Sequence, residues 1–395
     1  MEKKKSSGAL LAVCVLSIYV LQCITSGINP GLANLGEYYS HVSLSTITMV
    51  STICMLASMP GNLLSGMMVQ KIGFKKTMLI AFMIALVGGL TPFFIECNIE
   101  ILILLRAMVG FAYGIFMPMG ASCVSAFYDG NMRSKMLGYG SSVSGLSSMI
   151  IILIGGWLVN ISIKAMWLYH LIVLFPMICV LIMPNPPMQE EVKKNGQKRT
   201  GLNWSVDTWF FILAQAVVAF FLYPILVYMS NIIVTEGMGT SVDAGYVSSV
   251  HSFACFMGGF IFSYLLKIFK KRILGSTLVC IACGFFCVAF SKNLPMLYIG
   301  NILSGFGYVT FITYCMDSLS TVTDSSSLST VLGMGFACST VVPTISVYFF
   351  SFIGKLIKAS QGNVRYMFVF SAVAFLMLGV LFLLRPKTVK TADNK

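Results

Sequence analysis

GFAYGIF at residues 110–116 returns, altered, as GFGYVTF at residues 305–311. The two phrases stand 195 residues apart in a chain of 395, close to half its length. Sliding the chain against itself by that offset aligns two further segments without a gap. FKK at 74–76 falls on FKK at 269–271, and SKMLGYG at 134–140 falls on STVLGMG at 329–335, keeping Ser, Leu and both glycines. Three anchors in one register mark an internal duplication.

Composition says what is duplicated. Apolar residues make up 57% of the chain and charged residues 10%, against roughly 25% charged in a soluble domain; mean hydropathy is +0.88. The charges are bunched. Eleven uncharged runs separate them: Ser6–Gly36, Val42–Gln70, Thr77–Ile95, Met136–Ile163, Ala165–Gln189, Thr208–Thr235, Ala244–Leu266, Ile273–Ser291, Asn293–Met316, Ser325–Gly354 and Tyr366–Leu384. Ile101–Tyr128, broken only by Arg106, makes a twelfth, and each is at least 19 residues long. About 20 apolar residues cross a ~30 Å hydrocarbon core. Lipid offers backbone amides no water, so spans of this length are helices; a ~10-residue barrel strand needs no such run. The chain is expected to be an all-α membrane protein with twelve transmembrane spans.

The formal net charge of +13 orients the chain and does not mark a nucleic-acid surface. With the N-terminus cytoplasmic, 20 Lys and Arg fall inside (Lys3–Lys5, Lys71, Lys75, Lys76, Arg133, Lys135, Lys193, Lys194, Lys198, Arg199, Lys267, Lys270, Lys271, Arg272, Arg385, Lys387, Lys390, Lys395) and five outside (Lys164, Lys292, Lys355, Lys358, Arg365). This is the positive-inside bias of a multi-pass protein. It predicts both termini on the cytoplasmic side of the cytoplasmic (inner) membrane, with the excess charge against anionic lipid headgroups. MEKKK followed by an apolar run imitates a signal peptide, but 31 uncharged residues exceed the 7–15 of a signal core. The run reads as the first span. Most of the twelve cysteines fall inside predicted spans. Cys280, Cys283 and Cys287 share a helix face without His or carboxylate, so they read as small packing residues; no metal or cofactor is expected.

An even number of crossings per half makes the halves parallel repeats, related by an axis along the membrane normal. Residues 1–185 and 208–395 are expected to form two six-helix bundles. The polar, Pro- and Gly-rich segment at 186–207 reads as a cytoplasmic linker.

The loop between the second and third spans, GMMVQKIGFKK at 66–76, supplies Gly66, Gln70, Lys71, Gly73, Lys75 and Lys76, and the fourth span carries RAMVG at 106–110. With the duplication, these resemble the major facilitator superfamily (MFS) of secondary transporters, in its bacterial, twelve-helix form, over essentially the full length. The family's loop pattern runs Gly-x-x-x-Asp-Arg/Lys-x-Gly followed by basic residues, and its fourth span reads Arg-x-x-x-Gly. Gln70 stands where the family places an acid. The resemblance implies a gating loop here, and an amide without net charge implies a weaker gate contact. The fifth span, GYGSSVSGLSSMIIILIGGWL from residue 138, has glycines but lacks the proline of many drug–proton antiporters.

The resemblance implies alternating access around a site near the membrane midplane, and broken helices in matching positions point to such a site. Pro30 in the first span and Pro224 in the seventh lie 194 residues apart; each removes a backbone hydrogen bond and bends its helix. They mark either the pathway or ordinary kinks. Arg106 is the only charge inside a span's middle, so it must face the interior and have a partner. It either binds an anionic substrate or modulates a proton carrier, or else tethers carbonyls of the broken first span. Its repeat mate is the uncharged Asn301. His251 is the candidate proton carrier, and Asp317 reads as interfacial. The remaining polar inventory is neutral: Tyr19, Gln22, Asn29, Tyr113, Gln215, Tyr223, Tyr228, Asn231 and Tyr308. Gln22, Gln215, Tyr113 and Tyr308 are preferred as cavity residues, because amides and phenols fix a ligand within an apolar wall.

No HExxH, G-x-S-x-G or intramembrane acidic pair argues for an enzyme. The expectation is a monomeric secondary active transporter moving a small organic compound, as efflux of a neutral or amphiphilic molecule, with protons as a further partner. The alternative is an importer or exchanger of organic anions (carboxylates) using Arg106 as counter-charge.

Overall fold

The computed structural model describes residues 8–42, 44–186, 205–229, 232–233, 236–239, 241–323, 327–357 and 364–384. Most of the linker, Asn231 and the terminal lysines lie outside them. Among the described residues the regular structure is helical. In the first half, α1 (Gly8–Val20) and α2 (Leu32–Tyr38) flank two 3-10 stretches, Leu21–Cys23 and Ser26–Gly31. There follow α3 (Leu44–Ile72), α4 (Phe74–Phe94), α5 (Ile99–Phe127), α6 (Gly130–Ile161), and a 3-10 stretch Ala165–Val173 that runs into α7 (Leu174–Ile182). The second half holds α8 (Val206–Val227), α9 (Ser241–Phe269), α10 (Ile273–Ala289), α11 (Leu294–Val322), α12 (Leu328–Leu356) and α13 (Arg365–Leu384).

Ten stretches of the described residues are long and apolar enough to cross a membrane, fewer than the twelve uncharged runs. The difference has two sources. Asp243–Ala289 counts once at 47 residues, although it holds α9 and α10 joined by the 3-10 turn Lys270–Arg272. The other is α12 (Leu328–Leu356), of which only residues 328–342 count towards a described apolar stretch.

The chain divides into two compact units: Met1–Met136 with Leu146–Trp204 and Thr323–Ala337, and Leu137–Gly145 with Ser205–Val322 and Cys338–Lys395. The main boundary, between 204 and 205, falls inside the predicted linker. The second repeated phrase explains the two exchanged segments. In unit 1, Gly333 of α12 abuts the Asn62 carbonyl of α3, and Gly66 abuts Thr330. In unit 2, its mate Gly138 of α6 leaves a Cβ only 2.6 Å from the Gly259 carbonyl of α9. Glycine at these positions lets two backbones meet.

The opening phrase plays the same part within each unit. A Cβ on Gly110 of α5 would lie 2.5 Å from the backbone of Cys54 on α3, and Gly61 of α3 abuts the Phe111 carbonyl in return. In the second unit, a Cβ on Gly305 of α11 would stand 2.5 Å from the His251 carbonyl of α9, and one on Gly258 of α9 would stand 3.0 Å from the Phe306 carbonyl. The α5 and α11 positions are 195 residues apart, but their partners on α3 and α9 (54 and 251, 61 and 258) are 197 apart. Two residues turn a helix by about 200°, so the gapless register presents the wrong face of α9.

The loops carrying FKK turn differently. Gly73 (φ 92, ψ 161) caps the start of α4 in a region open essentially to glycine alone. Lys75 Nζ donates to the Leu181 carbonyl at the end of α7, 3.1 Å away. In the second half the left-handed residue is Lys270 (φ 46). Gly73→Ala is therefore expected to lower stability by about 1 kcal/mol or more, while Lys270→Gly is neutral or slightly stabilising. Thermal unfolding of the purified variants in detergent checks both.

At the start of α13, Arg365 Nε donates to Glu236 Oε1 at 2.7 Å. Its other nitrogens reach the Ala289 carbonyl and the Ser291 carbonyl, each at 2.6 Å, closing the end of α10.

Candidate functional site

The first span breaks because Gly27, Pro30 and Gly31 crowd one turn. A helical path here is further disfavoured by packing. Gly155 of α6 abuts the Gly27 carbonyl, and the Tyr169 ring lies 2.8 Å from where a Gly27 Cβ would stand. The 3-10 geometry over Ser26–Gly31 leaves carbonyls without the α-helical amides that would have bonded them.

Arg106 takes one of these carbonyls. It is fully buried, two turns into α5, and each guanidinium nitrogen donates to a different element. Nη2 bonds the Thr25 carbonyl of the break at 3.0 Å. Nε bonds the Val50 carbonyl of α3 at 3.1 Å, and Nη1 bonds the Tyr169 hydroxyl at 3.1 Å. The Cys54 thiol donates to Arg106's own carbonyl at 3.2 Å. No carboxylate is among these partners; carbonyl dipoles and a phenol meet the charge. His170 stacks on Tyr169 with centroids 4.0 Å apart, and its Nδ1 meets the Trp167 carbonyl at 3.0 Å. It fits only because Gly89 has no side chain.

Unit 2 repeats the plan without charge. Asn301, in the seat of Arg106, is buried. Its Nδ2 donates to the Leu297 carbonyl at 2.9 Å and meets Met229 Sδ at 3.8 Å. Met229 lies just past the end of α8, whose last turn holds Pro224. Both mates thus reach the first span of their own unit, at its break in unit 1 and just past α8 in unit 2. His251 occupies the seat of Cys54, its Nδ1 3.3 Å from Ser304 Oγ, and Gly305 accommodates its backbone.

The other predicted residues distribute as follows. In unit 1, Gln22 Nε2 reaches the Met117 carbonyl at 3.4 Å; Asn29 accepts from Ser51 Oγ at 2.9 Å; Tyr113 is half-buried. In unit 2, Gln215 is buried with no partner for Nε2 among the described residues, and Tyr228 and Tyr308 are half-buried. Gln70, Lys71 and Lys76 are exposed and Gly66 is buried. Pro30 lies in the 3-10 stretch and Pro224 in the last turn of α8. Asp317, near the end of α11 (Leu294–Val322), is buried. Tyr169, Thr25 and Val50 escaped sequence reasoning, because two of them contribute only backbone. Asn62 escaped as well. It is fully buried with both amide atoms unpartnered among the described residues.

A family model described as the Major Facilitator Superfamily matches residues 12–241 and 209–395. A TsgA homolog from Buchnera aphidicola subsp. Schizaphis graminum is 23% identical over 287 residues, covering 70% of this chain and 71% of that protein. The multidrug transporter protein MdtP of Bacillus subtilis is 27% identical over 128 residues, 32% of this chain and 23% of MdtP. Among solved structures, the proton:xylose symporter XylE superposes with a TM-score of 0.76 at 12% identity, covering 98% of this chain and 97% of that one. The human organic anion transporter MFSD10 gives 0.73 at 12% identity, covering 95% and 100%. At such identities the likeness concerns the fold.

Proposed function

From the premise that the chain belongs to the Major Facilitator Superfamily, we propose that it exports a small neutral or amphiphilic organic compound across the cytoplasmic membrane. It works as a monomer by alternating access, with both termini cytoplasmic and without catalysis. One observation carries the choice of substrate class: each nitrogen of the buried Arg106 is bonded within the protein. A guanidinium held on three elements is a tether and is not free to meet a carboxylate arriving from water. The other candidate polar side chains are amides and phenols (Gln22, Asn29 and Tyr113 in unit 1; Gln215, Tyr228 and Tyr308 in unit 2), a chemistry that suits neutral hydrogen-bonding ligands. The partial similarity to a protein named a multidrug transporter agrees with this reading.

Proton coupling is assigned to His251, a buried imidazole whose Nδ1 lies 3.3 Å from Ser304 Oγ. Proteoliposomes loaded with a panel of neutral, cationic and carboxylated compounds test both parts. Efflux of neutral or amphiphilic members should be driven by an imposed pH gradient in the wild type and lose at least about tenfold of that dependence in His251→Gln. Transport confined to carboxylates would replace this reading with the organic-anion alternative. Transport indifferent to the gradient would leave facilitated diffusion or exchange.

A further inference from the structure

In unit 2, α9 shows one face outward along its second half. Its exposed side chains recur every three or four residues, at Phe253, Met257, Phe260, Tyr264 and Lys267, which is the spacing of a single helix face. The rise from Met257 to Lys267 is about 15 Å, half of a ~30 Å hydrocarbon core. The apolar part of this face therefore matches the depth of one leaflet, and its basic end reaches the headgroups. Phe260 is 53% exposed and Tyr264 64%. Tyr139 of α6 stands beside Phe260, ring centroids 5.8 Å apart.

The face ends on four cations within six residues, Lys267, Lys270, Lys271 and Arg272, all of them exposed. None has an ion pair among the described residues, and the sequence has no Asp or Glu from Ala244 to Met316. Like charges this close repel, and no neighbouring carboxylate offsets them. The backbone adds a further cost. Lys270 (φ 46) is the one non-glycine residue with positive φ among the described residues, whereas the matching loop of unit 1 uses Gly73. A strained position that carries a charge points to a use for that charge. Lys75, the repeat mate of Lys270, is by contrast taken up by the Leu181 carbonyl.

An anionic phospholipid supplies both missing parts in one molecule, a negative charge for the cluster and an acyl chain for the aromatic face. A zwitterionic lipid brings its own cation to the same place and gains less. We propose that this turn and the adjoining face of α9 form a binding site for an anionic phospholipid, with the phosphate on Lys267, Lys270, Lys271 and Arg272 and an acyl chain along Tyr264 and Phe260. The general excess of basic residues on one side of the membrane needs no such apolar face; this site requires it.

Binding is read without reference to transport. The full-length protein in detergent is titrated with phosphatidylglycerol or phosphatidylcholine, and bound lipid is counted by native mass spectrometry. Phosphatidylglycerol should reach half-saturation at a concentration at least about fivefold lower, the factor that one Lys or Arg contributes beside an anionic headgroup. Lys270→Gln with Lys271→Gln should raise that concentration at least about tenfold, and Tyr264→Ser at least about threefold. Lys292→Gln with Lys355→Gln, which removes as much charge from exposed residues away from the turn, should leave it unchanged. Lys270→Gly should weaken binding while unfolding no earlier than the wild type in lipid-free detergent, which separates a lost charge from a lost fold. Equal half-saturation for the two lipids would overturn the proposal, as would an equal loss in the two paired Lys→Gln variants. Binding unchanged in Tyr264→Ser, or abolished by equimolar glycerol 3-phosphate, would reduce the site to a bare phosphate-binding cluster and also overturn it.

Discussion

Arg106→Ala is expected to lose most of its folded yield. The change strips donors from the Thr25 and Val50 carbonyls and from the Tyr169 hydroxyl, all of them buried. Each acceptor left bare costs on the order of 1–3 kcal/mol, although partners in membrane interiors partly compensate. The emptied side-chain volume adds its own term. A total of about 3 kcal/mol or more is a large fraction of the stability of an ordinary domain. Arg106→Lys keeps the charge, but its donors radiate from one atom, and one ammonium does not bridge three elements as a planar fork does. It should fall between wild type and alanine. Tyr169→Phe, which removes one bond of the three, should cost about 1 kcal/mol. Size-exclusion profiles and thermal unfolding in detergent rank the series. If Arg106→Ala folds like the wild type and selectively loses carboxylate transport, Arg106 is a counter-charge and the tether reading is wrong.

The second large effect is expected at a position where the duplication misleads. Gly114 falls on Val309 in the gapless register, which invites the inference that valine is tolerated. Gly114, however, abuts the Ser58 carbonyl of α3, and the Asn62 backbone nitrogen lies 2.9 Å from where its Cβ would stand. Val309 instead packs into the space left by Gly258 of α9. In one unit the small residue sits on the fourth span's helix, in the other on its neighbour. Gly114→Val drives a β-branched side chain into backbone, and overpacking of about 1–3 kcal/mol or more separates α3 from α5. Little monodisperse protein is expected. The reciprocal change, Val309→Gly, should merely open a cavity worth about 1–2 kcal/mol plus the glycine penalty. A Gly114→Val protein as stable as the wild type would refute the contact.

Arg106 shows how far sequence reading carries. A lone charge in an apolar run must be buried and satisfied, and that much follows from the physics of lipid. Which atoms satisfy it did not follow, because two are backbone carbonyls whose availability depends on where the first span leaves α geometry. The same holds for His251. Its place in the chain marks it as titratable, but its seat opposite Asn301 emerges only with the two-residue shift between α3 and α9. Asn62 had no signal, since an amide among Ser, Gly and Leu looks like any polar membrane-helix residue.

The sequence by itself determined the class, the helical build, the duplication and the break in the first span. Those follow from lengths of uncharged chain, from repeated glycines, and from what lipid does to an unsatisfied peptide group. Only the tertiary structure decided which faces meet and that the Arg106 fork is occupied by the protein's own acceptors. Such features depend on helix rotation and on side chains distant along the chain, and a change of two residues in register is enough to alter them.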